Sequence, residues 1–111
     1  MSVSTHVLDT ARGRPAAGLA VTLSRRKPGG EWSVVGRAVT DREGRVKELS
    51  STALEVGEYR LEFATGAYFK TSGTEGFYPE VSVVFATAKG DTHLHVPLLL
   101  SPFGYSTYKG Q

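Results

Sequence analysis

Histidine is scarce in this chain, and its three copies, His6, His93 and His95, are the side chains best suited to move protons near neutral pH. His93 and His95 are two residues apart. In a strand, positions i and i+2 share a face, so both imidazoles stand beside Pro97 and Leu99 while Leu94, Val96 and Leu98 face the other way. Taken alone, that spacing fits a solvated strand face, or a pair that picks up a metal ion adventitiously, better than a catalytic pair. A dedicated zinc site would need a third ligand or a His-x-x-x-His helix, and neither is present, so no metal is expected. His6 falls on the first predicted strand, where an ordinary surface histidine is the plainer reading. Arg45 directly follows Asp41-Arg42-Glu43-Gly44 and reads as a solvated turn cation unless other site residues surround it. Serine and aspartate are plentiful, but there is no Gly-x-Ser-x-Gly elbow and no phosphate-loop glycine pattern.

Short strands must position these residues. Val3 to Leu8 alternates loosely and ends near Asp9, before the turn signal Arg12-Gly13-Arg14-Pro15. Ala20 to Ser24 alternates apolar and small polar residues, Pro28-Gly29-Gly30 breaks it, and Trp32 to Ala38 returns as the second arm of a hairpin. After the Glu55-Val56-Gly57-Glu58 turn, Tyr59, Leu61 and Phe63 take one face of a strand and Arg60 and Glu62 the other. Thr65 to Thr74 is the one place for a helix, of at most about two turns. Val81 to Ala86, Thr92 to Leu100 and Gly104 to Lys109 complete about seven or eight strands. With turn signals about every 8 to 12 residues, the chain predicts an all-β, two-sheet sandwich with antiparallel pairing.

Composition narrows the class further. A chain of 111 residues can bury one core and is read as a single domain, residues 1–111. The 13 Lys and Arg are scattered among 11 acids for a formal net charge of +2, which argues against a nucleic-acid partner. Without cysteine, disulfides and thiolate metal sites are excluded, and stability must come from packing or assembly. No stretch approaches the roughly 18 apolar residues of a membrane span, and Met1 to Thr10 has no signal-peptide pattern, so no membrane partner and a cytoplasmic location are expected.

Two stretches, read together, resemble the transthyretin family. The first is His6-Val7-Leu8-Asp9, Gly13-Arg14-Pro15-Ala16 and Leu19-Ala20-Val21; the second runs from His95-Val96-Pro97-Leu98 through Ser101-Pro102-Phe103-Gly104-Tyr105-Ser106-Thr107. The middle agrees through Thr40 to Arg45 and Gly57-Glu58-Tyr59-Arg60. The resemblance implies a transthyretin-like (prealbumin-like) antiparallel β-sandwich with one short helix, assembled as a homotetramer, a dimer of dimers, with sites in its central channel. The family divides into hormone carriers and 5-hydroxyisourate hydrolases. The hydrolase branch resembles this chain at a first-strand His, an Arg after the central turn, a second His and a terminal Tyr-Arg-Gly-Ser, which correspond here to His6, Arg45, His95 and the tail from Tyr108. The carriers have Lys, Glu and Thr at the three polar positions.

The implied activity is hydrolysis of 5-hydroxyisourate to 2-oxo-4-hydroxy-4-carboxy-5-ureidoimidazoline in urate degradation, without a cofactor. His95, aided by His6, would take a proton from the attacking water, and Arg45 and Lys109 would stabilise the oxyanion, with His93 as a supporting group. Tyr108 would close the hormone channel and leave a shallow pocket for a small flat ring. Lys109 and Gln111 stand where the resemblance implies Arg and Ser; Lys offers a flexible point charge in place of a planar fork, and an amide is longer than a hydroxyl. Two rival readings are a carrier of small aromatic ligands and an immunoglobulin-like interaction domain.

Overall fold

The structure is a computed structural model that describes residues 1–50 and 53–111. Its elements, in chain order, are β1 (Ser2–Asp9), β2 (Arg14–Pro15), β3 (Ala20–Arg26), β4 (Trp32–Val39), β5 (Arg45–Val46), β6 (Glu58–Phe63), α1 (Thr65–Thr71), β7 (Val81–Ala86), β8 (His93–His95), β9 (Leu98–Ser101) and β10 (Gly104–Thr107). One sheet runs β4-β3-β6-β7. The other runs β10-β9-β1-β2, with β5 and β8 also paired to β1. Their inner faces make the core, where Val3, Val7, Val21, Leu23, Tyr59, Leu61, Phe63, Leu98 and Leu100 are all buried. The alternation of β6 is realised as predicted, with Arg60 and Glu62 left half-buried on its outer face.

The expected sandwich with one short helix is therefore the fold; among the described residues it has ten strands where about seven or eight were expected, with the two-residue β2 and β5 added beside β1, and differs in three further local respects. Pairing is antiparallel except along β1, which lies parallel to β8 and β9. The predicted strand from Thr92 to Leu100 is divided: Ser4 stands opposite His95 and Val7 opposite Leu98, so the register is kept across the gap, but the ladder lapses at Val96 and Pro97. Proline has no N–H to donate, and Pro97 is buried. Its carbonyl accepts from Thr107 Oγ1, and that of Val96 accepts from Thr5 Oγ1. Finally, β10 ends at Thr107, so Tyr108 and Lys109 lie beyond the ladder.

The helix is seven residues long and packs Tyr68 and Phe69 inward; Tyr68 Oη donates to the buried carboxylate of Asp9 at 2.8 Å, pinning the helix to the end of β1. Among the described residues, no helix is long and apolar enough to cross a membrane.

Candidate active site

Parity on β1 decides which residues can meet. Val3, Thr5, Val7 and Asp9 point into the core, whereas Ser2, Ser4, His6 and Leu8 alternate with them on the other face, all half-buried except Ser4, which is buried. The parallel register sets Ser2 opposite His93 and Ser4 opposite His95, and on the other edge the antiparallel register sets His6 opposite Arg45. Cross-strand partners share a face. His6, Arg45, His93 and His95 thus converge on one outer surface although they come from three separate parts of the chain.

Arg45 is delivered by the Asp41 to Gly44 turn. Asp41 Oδ1 accepts the backbone N–H groups of Glu43 at 2.8 Å and Arg45 at 3.0 Å, and these bonds, that to Arg45 foremost, hold its carboxyl below the usual range. Gly44 closes the turn at φ 76°, a left-handed conformation open to glycine, and its carbonyl accepts from Val7 N–H at 2.8 Å. A side chain there would also collide with Val7 O.

The two candidate bases are held differently. His6 Nε2 lies 2.8 Å from Glu43 O. A carbonyl can only accept, so Nε2 carries the proton and the free lone pair of neutral His6 is on Nδ1. His95 Nδ1 lies 2.7 Å from Ser4 Oγ, and its Nε2 has no hydrogen-bond partner among the described residues. Burial lowers the pKa of His95 below the ordinary histidine value, and the positive fields of His6, Arg45 and His93 lower it further. Neutral imidazole with an open Nε2 can accept a proton at pH 7.

Ser4, Thr5, Arg45, Val46, His95 and Gln111 line a pocket of about 310 Å³, together with Lys47 and His93. The tail reaches it because Gly110 N–H donates to His95 O at 2.7 Å. Of the predicted site residues, Arg45, His95 and Gln111 are brought together in this pocket, and His6 adjoins it through its pairing with Arg45. Tyr108 and Lys109 are not part of its lining in the single chain: both are exposed and border a second, apolar cavity of about 240 Å³ against Val83 to Ala86, Leu94 and Val96. Ser2 and Ser4 are the residues that sequence reasoning missed. Their signal was the period of two in Ser2-x-Ser4-x-His6, which repeats the His93-x-His95 spacing opposite. No cluster of three or more metal-ligating side chains occurs among the described residues.

A two-sheet sandwich with a histidine-arginine site on one outer face defines a transthyretin-like protein. The family model described as HIUase/Transthyretin matches residues 3–110, and the chain belongs to that family. It is 46% identical over 112 residues to the 5-hydroxyisourate hydrolase of Caulobacter vibrioides, covering 97% of this chain and 96% of that one. Among solved structures, 5-hydroxyisourate hydrolase of Klebsiella pneumoniae superposes with a TM-score of 0.89 at 35% identity over the whole of both chains. Sea bream transthyretin in complex with thyroxine superposes with a TM-score of 0.92 at 33% identity, covering 99% of this chain and 95% of that one.

Proposed function

We propose that this protein hydrolyses 5-hydroxyisourate, opening its ring to 2-oxo-4-hydroxy-4-carboxy-5-ureidoimidazoline in urate degradation. The observation that carries the reading is the pairing of an open, desolvated His95 Nε2 with Arg45 across one small pocket, in a chain close to named hydrolases at nearly half of its positions. A pure carrier has no use for such a base beside a guanidinium.

In this mechanism a water in the pocket attacks the ring carbonyl while His95 Nε2 accepts its proton. Arg45 stabilises the oxyanion of the tetrahedral intermediate, which collapses with rupture of the ring C–N bond. General base assistance and one well-placed oxyanion donor typically supply about 10² to 10⁴ and about 10² to 10³ in rate. His6, fixed as an Nε2 donor to the turn, orders Arg45 and offers Nδ1 as an acceptor to the substrate. Gln111 presents its amide to the ring edge. Tyr108 and Lys109 act where subunits meet, as wall and cation of a pocket closed by a neighbouring copy.

The same reading includes a homotetramer in the cytoplasm. Its support is the pair of open sheet edges, β7 and β10, that end the two sheets, with Val84, Tyr105 and Tyr108 exposed near them. The deciding experiment follows the ultraviolet absorbance of 5-hydroxyisourate generated freshly from urate by urate oxidase. Acceleration by the protein, lost in His95→Asn, is the expected result; decay at the uncatalysed rate overturns the proposal.

A further inference from the structure

The outer face carries a row of hydrogen bonds that proton acceptance by His95 does not by itself require. Ser2 Oγ lies 2.5 Å from His93 Nδ1, His93 Nε2 lies 2.9 Å from Ser4 Oγ, and Ser4 Oγ lies 2.7 Å from His95 Nδ1. Hydroxyl and imidazole alternate because the parallel register interleaves the serines of β1 with the histidines of β8. Ser4, inside the row, is buried, His95 and Ser2 at its two ends are half-buried, and His93 is exposed and gives the row its contact with solvent.

A serine hydroxyl has one proton. If Ser4 Oγ donates to one of its imidazole neighbours, it must accept from the other, so the tautomers of His93 and His95 are coupled. When His95 holds its proton on Nδ1, Ser4 donates to His93 Nε2, and His93 Nδ1–H donates to Ser2. When His95 holds it on Nε2, all three bonds reverse.

We propose that Ser4, His93 and Ser2 form a proton relay that carries the proton taken up at His95 Nε2 out to solvent at the His93 end of the row. The proposal deepens the hydrolase reading and rests on it. As the water oxygen bonds to the carbonyl carbon, its proton bonds to His95 Nε2. The Nδ1–H bond of His95 then breaks toward Ser4 Oγ, the Ser4 proton passes to His93 Nε2, the His93 Nδ1 proton passes to Ser2 Oγ, and Ser2 releases its own. One proton enters, one leaves, and no electron changes hands. His95 is left neutral with its proton on Nε2, placed to protonate the ring nitrogen as the C–N bond breaks. That donation draws a proton back from solvent along the same row and restores the starting tautomers. Ser2, Ser4 and His93 act through His95 and are positioning residues.

Two readouts on the intact protein test the relay. Long-range ¹H–¹⁵N correlation spectra of the ¹⁵N-histidine-labelled resting protein report which nitrogen of each ring is protonated. His93 and His95 are expected to share one pattern, both Nδ1–H or both Nε2–H, to lose the match in Ser4→Ala and to keep it in Ser4→Thr, which retains a hydroxyl. In turnover, Ser4→Ala is expected to lower kcat about tenfold with KM within about twofold, the mark of a group that acts in the transition state. The solvent deuterium proton inventory, curved in the parent, should become linear in Ser4→Ala and curved again in Ser4→Thr. Ser2→Ala, at the end of the row far from His95, should give a smaller fall in kcat. Opposed tautomers in the resting protein, or an active parent whose kcat and proton inventory survive Ser4→Ala, would overturn the relay alone. A parent that does not accelerate 5-hydroxyisourate decay would overturn the hydrolase reading, and the catalytic direction of the relay with it.

Discussion

His6 and His95 are the same residue type on one face of the same sheet, yet their hydrogen bonds give them different work. Glu43 O takes the Nε2 proton of His6, whereas His95 turns Nδ1 to Ser4 and leaves Nε2 open. His95→Asn is therefore expected to lower kcat by about 10² or more while leaving the melting temperature close to the parent's; turnover near the parent level would remove His95 as the base. Its pKa also has two consequences of definite sign. Because burial, His6, Arg45 and His93 all disfavour the cation, the acidic limb of kcat/KM should fall below the ordinary histidine value of 6.5. The unfolded chain binds the proton more readily than the folded one, so this residue's contribution to stability is present above 6.5 and is lost as pH drops through the window down to the folded pKa. Urea titrations at about pH 5 and about pH 7 should show the lower midpoint at acid pH, with the difference reduced in His95→Asn.

Two glycines show how the elements aim these side chains. Gly44→Ala combines a positive φ with a Cβ 2.4 Å from Val7 O, and should cost about 1 to 3 kcal/mol while displacing Arg45. Equilibrium unfolding reads the first effect and KM the second. Gly110 has ordinary backbone torsion but no room: a Cβ would lie 2.7 Å from His95 Cδ2 and 3.0 Å from His95 O. Gly110→Ala should lift the tail from the pocket, raising KM with little loss of stability, because Tyr108, Lys109 and Gln111 are themselves exposed. An unchanged KM would show that the docking of Gln111 is dispensable. The lapse at Pro97 belongs to the same scale: Val96 N–H still donates to Ser4 O at 2.9 Å, the last bond that holds β8 against β1 before the proline.

At the scale of the whole molecule, both sheets end in unsatisfied edges, and an open edge is commonly covered by another chain. Sedimentation velocity should report a mass of four copies of the 11.9 kDa chain; a monomer at micromolar concentration would sink the assembly and the proposed closing role of Tyr108 and Lys109. The core itself should tolerate truncation poorly. Leu98→Ala, at a side chain with no exposure between the sheets, should cost about 2 to 5 kcal/mol in chemical unfolding without changing the pH dependence of turnover.

Much of this was legible in the residues. Tyr59, Leu61 and Phe63 against Arg60 and Glu62 declare a strand with one buried face, and Asp41 to Gly44 declares a tight turn, because both patterns are set by neighbours in sequence. The His93-x-His95 parity and the family resemblance of His6, Arg45 and His95 likewise needed no coordinates. Which strand lies beside which is a different matter. Local alternation says what faces the core but not the partner or the direction, so the parallel contact of β1 with β8 and β9 could not be read from it. Nor could the interruption at Pro97, the separation of Tyr108 and Lys109 from the histidine pocket, or the serines that link the two histidines. Faces, turns and the kinds of side chain available for chemistry follow from neighbours along the chain; their register follows from the folded sandwich, because hydrogen bonds between strands some ninety residues apart are set by the closure of the whole molecule.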